Sequence, residues 1–478
     1  MKKLALSLID ALDQPSTVEQ RLSEVGEPDP PRARIALSRA LAHADLEPAR
    51  IDWLAALLSS ARPGTGAERL VEIADRYRRT QQRALRIAAM PGLPRVLGSS
   101  DFLARLLLRH PGWCDELAGE PPAAPDESQV EADWTAIRIS KYRGLLRIAA
   151  RDLMGRPFGE SPGELARLAD RCLDAASRCT ARETEIEAPA LFSLGKLGGS
   201  ELNFSSDVDL LFIYHASPAA DLARNRELAR FVQHLKRNLE APSEDGFGYR
   251  VDLDLRPEGR SGALANSVDA ALTYYETFGA DWERQMLIRL RWVAGPIELA
   301  ADFSQAIIPF VYRQLIDPAA IGEVRAMKAR IEAERRKAGR DLEADLKNGP
   351  GGIRDVEFLV QALQLFHGGR RRELRTGNAS DALGALARLH ILPEAVASEL
   401  QSAYLWLRRA EHCAQLIEER QTHQFPRKPE QQNALARRMG YADTRVDDAR
   451  TRLLDDWTAV RAEVRAQFQQ LVLEPRND

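Results

Sequence analysis

Cysteine is scarce in this chain: Cys114, Cys172, Cys179 and Cys413 are the whole set. They share no C-x-x-C or Cys/His spacing, which argues against a zinc or disulfide framework and leaves reduced thiols in an ordinary interior. The eight histidines likewise show no metal-ligand spacing. Long apolar runs are missing too, none approaching the roughly 20 residues a membrane span needs. The start, MKKLALSLIDALDQ, is interrupted by Asp10 and Asp13 and followed by no small-residue cleavage site, so a signal peptide is not expected. An excess of one charge is also absent, since 67 basic and 70 acidic residues leave −3. That balance argues against a general grip on nucleic acid or an anionic membrane. A cytoplasmic protein is expected.

What is present is a chain of 478 residues, 44% hydrophobic and 29% charged, in the range of soluble globular proteins. It is too long for one core, and two or three domains are expected. Apolar residues recur at three- and four-residue spacing in Ile51–Leu58 and Phe102–Leu108, predicting a helical region over residues 1–135. Pro121–Gln129 reads as a linker, and helices are predicted over Trp134–Met154 and Gly163–Cys179. Strands are predicted at Ala190–Leu194, Val208–Tyr214 and the alternating Tyr249–Leu255, giving an α+β core over 136–300. Helical patterns return over 301–478, at Arg325–Leu346, Val396–Glu419 and Asp447–Val472.

The chemistry concentrates in LFSLGKLGGSELNFSSDVDLLFIY, Leu191–Tyr214. Asp207 and Asp209 interrupt a strand, and residues two apart in a strand share a face. Paired carboxylates suit a hard divalent cation. The Gly198-Gly199-Ser200 turn just upstream would bring backbone N–H groups close to a phosphate. A phosphate cradle followed by a rigid carboxylate mount is what metal-assisted phosphoryl or nucleotidyl transfer requires. Lys196 is either a phosphate-binding charge or a surface lysine in a turn. RVDLDLR (250–256) offers a third carboxylate: Arg250, Asp252, Asp254 and Arg256 share one face, and Asp252 and Asp254 remain alternatives. WERQMLIRLR (282–291) reads as a helix whose Arg289 and Arg291 either meet a phosphate or belong to a salt-bridged face. Beyond the Gly349–Gly352 turn, Asp355 and Glu357 lie two apart on a helix and would not act as a pair.

Four blocks, GKLGGSELNFSSDVDLLFIY, RVDLDLRPEGRSGAL, YYETFGADWERQMLIRLRWVAG and LKNGPGGIRDVEF, resemble the glutamine synthetase adenylyltransferase/adenylyl-removing enzymes. The flanks MPGLPRVLGSSDFLARLLLRHPGW and LRRAEHCAQLIEERQTHQFP resemble that family as well. The resemblance implies a predominantly helical α+β fold, with a polymerase-β-like nucleotidyltransferase core between an N-terminal helical region and a C-terminal helical bundle. The GPGGIRDVEF form is similar to the family's N-terminal, adenylyl-removing half. That implies phosphorolysis of the AMP–tyrosine bond on adenylylated glutamine synthetase, with inorganic phosphate consumed and ADP released. Adenylylation from ATP, or a non-catalytic module binding PII protein, are the alternatives. The resemblance further implies Mg2+, two ions, held by Asp207, Asp209 and Asp252, with Asp254 a departure from the family's usual arginine. It implies AMP phosphate on Gly198, Gly199 and Ser200 and the uridylylated PII protein as partner; Lys196, Arg256 and Arg289 are phosphate-binding candidates on their residue chemistry alone, with solvated or salt-bridged roles as the alternative.

Overall fold

Five short strands and more than a dozen helices make up the computed structural model, which describes residues 1–125, 128–217, 221–314, 328–330, 332–334, 336, 337, 339, 341–443 and 447–473. They fall into two units. The first comprises Met1–Asp126, Arg143–Ser161 and Arg409–Ala459; the second comprises Glu127–Tyr142, Pro162–Arg408 and Val460–Asp478.

The first unit is helical, and two of its helices start at side-chain caps. Asp29 accepts the Arg32 N–H at 3.2 Å ahead of Pro30–Ala42, and Ser100 Oγ accepts the Leu103 N–H at 3.1 Å ahead of Asp101–Arg109. Each satisfies a backbone donor that the first helical turn leaves open. Proline opens Pro15–Glu24, Pro30–Ala42 and Pro63–Gln81, a position where its missing N–H costs nothing.

The second unit carries the sheet. β1 (Ala190–Ser193) pairs antiparallel with β2 (Val208–Tyr214), and β2 runs parallel to β3 (Val251–Asp252) and β4 (Asn266–Ser267). β5 (Arg291–Ala294) closes the other side, antiparallel to β1, so the main path runs β3-β2-β1-β5. The sheet is mixed. Leu210 to Tyr214 are all buried, so β2 is covered on both faces and reads as an unbroken apolar run. Phe192, Leu211 and Ile213 join Tyr275, Phe303 and Phe310 in one apolar cluster beneath it.

Several expected elements sit within a residue or two of their predicted bounds, including Arg50–Leu58, Asp101–Arg109, Trp134–Leu153 and β2. Two differ. The strand expected over Tyr249–Leu255 shrinks to Val251–Asp252, because Asp252 Oδ1 accepts the Asp254 N–H at 2.7 Å and turns the chain away from the ladder. The helix expected over Trp282–Arg291 ends at Leu287, and Arg291 already belongs to β5. Of the helix expected over Arg325–Leu346, residues 325–327, 331, 335, 338 and 340 lie outside the described residues, and 341–352 form turns. All four cysteines are free and buried, and among the described residues no helix is long and apolar enough to cross a membrane.

Candidate active site

The parallel register of β2 and β3 sets Asp209 directly opposite Asp252. Adjacent strands lie about 4.8 Å apart, so two carboxylates rise side by side from rigid backbone. Both are half-buried. Burial, then the Asp252 charge, push the Asp209 carboxyl up to about 6, with Asp207 adding to the rise and Lys347 and Lys196 opposing it. The site therefore gathers more negative charge than its own lysines offset, the condition a divalent cation relieves.

Asp207 is differently placed. Its carboxylate accepts from Arg250 Nε, while Arg250 Nη2 also donates to the Ser205 carbonyl at 2.9 Å. Among the described residues no three or more His, Cys, Asp or Glu side chains are gathered as a metal cage. Two carboxylates nevertheless suit magnesium, which takes one or two of them and completes its shell with waters and substrate phosphates. Asp209 and Asp252 fit that donor set, and Asp207 fits it on release from Arg250.

The glycine turn works in a way the sequence did not suggest. Gly195–Gly198 form one helical turn whose first residue has φ +54°, and a Cβ there would lie 2.0 Å from Asp209 Oδ2. The Leu194 N–H donates to the Asp209 carbonyl at 2.9 Å, so the turn is fastened to β2 at the carboxylate. A phosphate cradle on the amides of Gly198, Gly199 and Ser200 is not what the structure builds. Those N–H groups donate to the carbonyls of Leu194, Gly195 and Leu197, at 2.9, 3.2 and 3.0 Å. A Cβ on Gly198 would lie 1.8 Å from the Arg289 carbonyl oxygen, so this glycine serves close packing.

The other candidates are occupied elsewhere. Arg289 is buried, and its Nη2 donates to Glu201 at 3.0 Å and Glu357 at 3.1 Å, which accounts for that donor without a phosphate. Arg256 braces its own loop, donating to the carbonyls of Leu253, Arg260 and Gly262 at 2.7, 2.9 and 3.1 Å. Asp254 pairs with exposed Arg260 at 2.8 Å, which leaves Asp252 as the carboxylate beside Asp209. Arg291 forms a two-pronged pair with Asp170, both contacts at 2.9 Å. Asp355 binds Lys328 and accepts the Gly351 N–H at 2.8 Å, shaping the turn ahead of helix Ile353–His367.

Beside the carboxylates lies a cavity of about 420 Å³, walled by Asp207, Asp252 and Asp254 on the acidic side and Lys236, Arg250 and Arg256 on the basic side. Its size falls within the range of small-ligand sites, and the juxtaposition of carboxylates with cations suits a metal-bound phosphate ester. Arg250 was placed on the right face by strand alternation, but its pairing with Asp207 was not foreseen. Lys347, Glu201 and Arg408 were missed; each sits in a stretch picked out for other residues, with no local signal of its own.

Paired carboxylates beside a cavity of mixed charge are the kind of donor set that metal-assisted phosphoryl or nucleotidyl transfer uses. Residues 90–306 match the family model described as glutamate-ammonia ligase adenylyltransferase, and residues 325–472 match the one described as GlnD PII-uridylyltransferase. The chain is 36% identical over 408 residues to the bifunctional glutamine synthetase adenylyltransferase/adenylyl-removing enzyme of Xanthomonas oryzae pv. oryzae, covering 80% of this chain and 42% of that protein. The equivalents of Thioalkalivibrio sulfidiphilus and Xanthomonas campestris pv. campestris are 36% and 37% identical over 431 and 410 residues, or 81% and 80% of this chain and 42% of each. It is a homologue of those enzymes, spanning less than half the length of the relatives it matches.

Proposed function

We propose that this chain removes AMP from adenylylated glutamine synthetase by phosphorolysis in the cytoplasm. An oxygen of inorganic phosphate attacks the phosphorus of the AMP–tyrosine ester, the bond from phosphorus to the phenolic oxygen breaks, ADP departs, and the phenolate takes up the proton the phosphate gives away. The observation that carries this reading is the in-register Asp209–Asp252 pair beside a cavity of mixed charge. Magnesium, when bound there, neutralises charge on the transferring phosphoryl group and on the leaving phenolate. Asp209 and Asp252, in register on β2 and β3, would hold it. Lys196 and Lys347, whose charges both act on Asp209, add positive charge next to the phosphates. Arg250, lining the same cavity, gives up Asp207 and is then free to meet a phosphate oxygen.

Adenylylation from ATP is the second reading, favoured by the bifunctional names of the relatives. Incubation with adenylylated synthetase and phosphate, and separately with unmodified synthetase and ATP, separates the two. ADP formation in the first mixture is expected; AMP transfer in the second with no ADP in the first would reverse the assignment. The likeness of residues 325–472 to a PII-uridylyltransferase is compatible with a PII protein as the regulating partner, which we take to be the uridylylated form.

The two carboxylates of RVDLDLR are expected to differ sharply in the same assay. Asp254→Ala should keep turnover within about threefold, because an exposed pair in water contributes little. A loss as large as that of Asp252→Asn would return Asp254 to the ligand set.

A further inference from the structure

Two conspicuous blocks, around Arg289 and around Glu357, take no direct part in the proposed chemistry, yet they meet at one point inside the second unit. Arg289 Nη2 bridges the carboxylates of Glu201 and Glu357. Glu201 Oε1 accepts the Ala379 N–H at 3.2 Å, and its backbone carbonyl accepts from Arg408 Nη2. Arg408 also donates to Asn203 Oδ1 at 2.8 Å and to the Tyr404 hydroxyl at 2.7 Å. All four charged side chains are buried, and two arginines balance two glutamates. Burial opposes ionisation of Glu357, but Arg289, then Arg408, Lys347 and Arg354, hold its carboxyl down at about 2.

Apolar side chains of similar volume often stabilise a fold as well as buried ion pairs do. The cluster does something they cannot: it ties four separate segments to one spot through directional contacts. That spot is the foot of the glycine turn. Gly198 packs on the Arg289 carbonyl, Asn378 Nδ2 donates to the Gly199 carbonyl at 3.2 Å, and the Glu201 N–H closes back on Lys196 at 2.8 Å. At its other end the same turn touches Asp209 through Gly195.

We propose that Arg289, with Glu201, Glu357 and Arg408, positions the carboxylate site, the buried cluster holding the Gly195–Ser200 turn against Asp209. These are positioning residues, and the catalytic part of the inference rests on the phosphorolysis reading. The test uses the full chain carrying Arg289→Lys, which keeps the charge but loses the planar fork, and Glu357→Gln, which keeps the shape. Amide exchange over Lys196–Asn203 is expected to quicken at least about tenfold in both, while Leu210–Tyr214 keeps its wild-type rate. ADP formation should fall about 100-fold, with KM for phosphate within about threefold, as expected for a misplaced site. Unchanged exchange in the turn, equal acceleration throughout the unit, or unaltered turnover would overturn the proposal. If wild-type protein forms no ADP, the catalytic reading falls while the exchange pattern still decides the positioning. Should either variant fail to fold, Asn378→Ser retains the helix cap but loses its reach to Gly199; it must loosen the same peptide or the proposal fails.

Discussion

Replacing Asp209 with asparagine is expected to lower ADP formation at least about 1000-fold and, near neutral pH, to make the cation-free protein more stable. The first effect follows from losing half of the carboxylate pair set in register across β2 and β3. The second follows from its titration. An aspartate raised from 3.8 to about 6 is harder to ionise in the folded chain than in the unfolded one. The resulting cost is absent below the ordinary value, grows as pH rises between the two, and is constant above about 6. Asparagine removes it, so at pH 7.5 a gain of up to about 3 kcal/mol is expected, shrinking towards zero near pH 4. Thermal unfolding of wild type and Asp209→Asn across that range measures it. A variant no more stable at pH 7.5 than at pH 4, relative to wild type, would contradict the electrostatics described here.

Gly195→Ala is expected to be nearly as damaging, for a different reason. The position has φ +54°, where an L side chain costs about 1–2 kcal/mol. Its new Cβ would sit 2.0 Å from Asp209 Oδ2, too close for either to remain. The turn or the carboxylate must move, and a shift of about 1 Å at a reacting centre costs on the order of 100-fold in rate. Turnover should therefore fall by about that factor while the protein stays folded; near-wild-type turnover would show that Gly195 does not set Asp209.

The sequence exposed the carboxylates because strand alternation is local: Asp207, Asp209, Asp252 and Arg250 announce themselves by period alone. It also placed the long helices, whose apolar spacing repeats over several turns. What it concealed depends on contacts between distant segments. Gly198 and Gly199 read as a phosphate cradle because a glycine pair looks the same whether backbone amides face a ligand or another chain segment packs against them. Arg289 read as a surface or ligand-binding arginine because its partners, Glu201 and Glu357, lie 88 and 68 residues away. Strand β5 was not expected, and its first residue was read as the end of the preceding helix, because Arg291–Ala294 is only four residues long, too short to show a period. The choice between Asp252 and Asp254 turned on a single hydrogen bond that ends β3 after Asp252.

The central claim is that Asp209 and Asp252 together seat a divalent cation, and Mn2+ titration followed by electron paramagnetic resonance tests it without any substrate. Wild-type protein is expected to bind Mn2+ at pH 7.5 and to lose affinity as pH falls below about 6, where a proton takes the cation's place on Asp209. Asp252→Asn should bind at least about tenfold more weakly. Equal affinity in wild type and Asp252→Asn, or no loss of affinity between pH 7.5 and 5, would contradict the account.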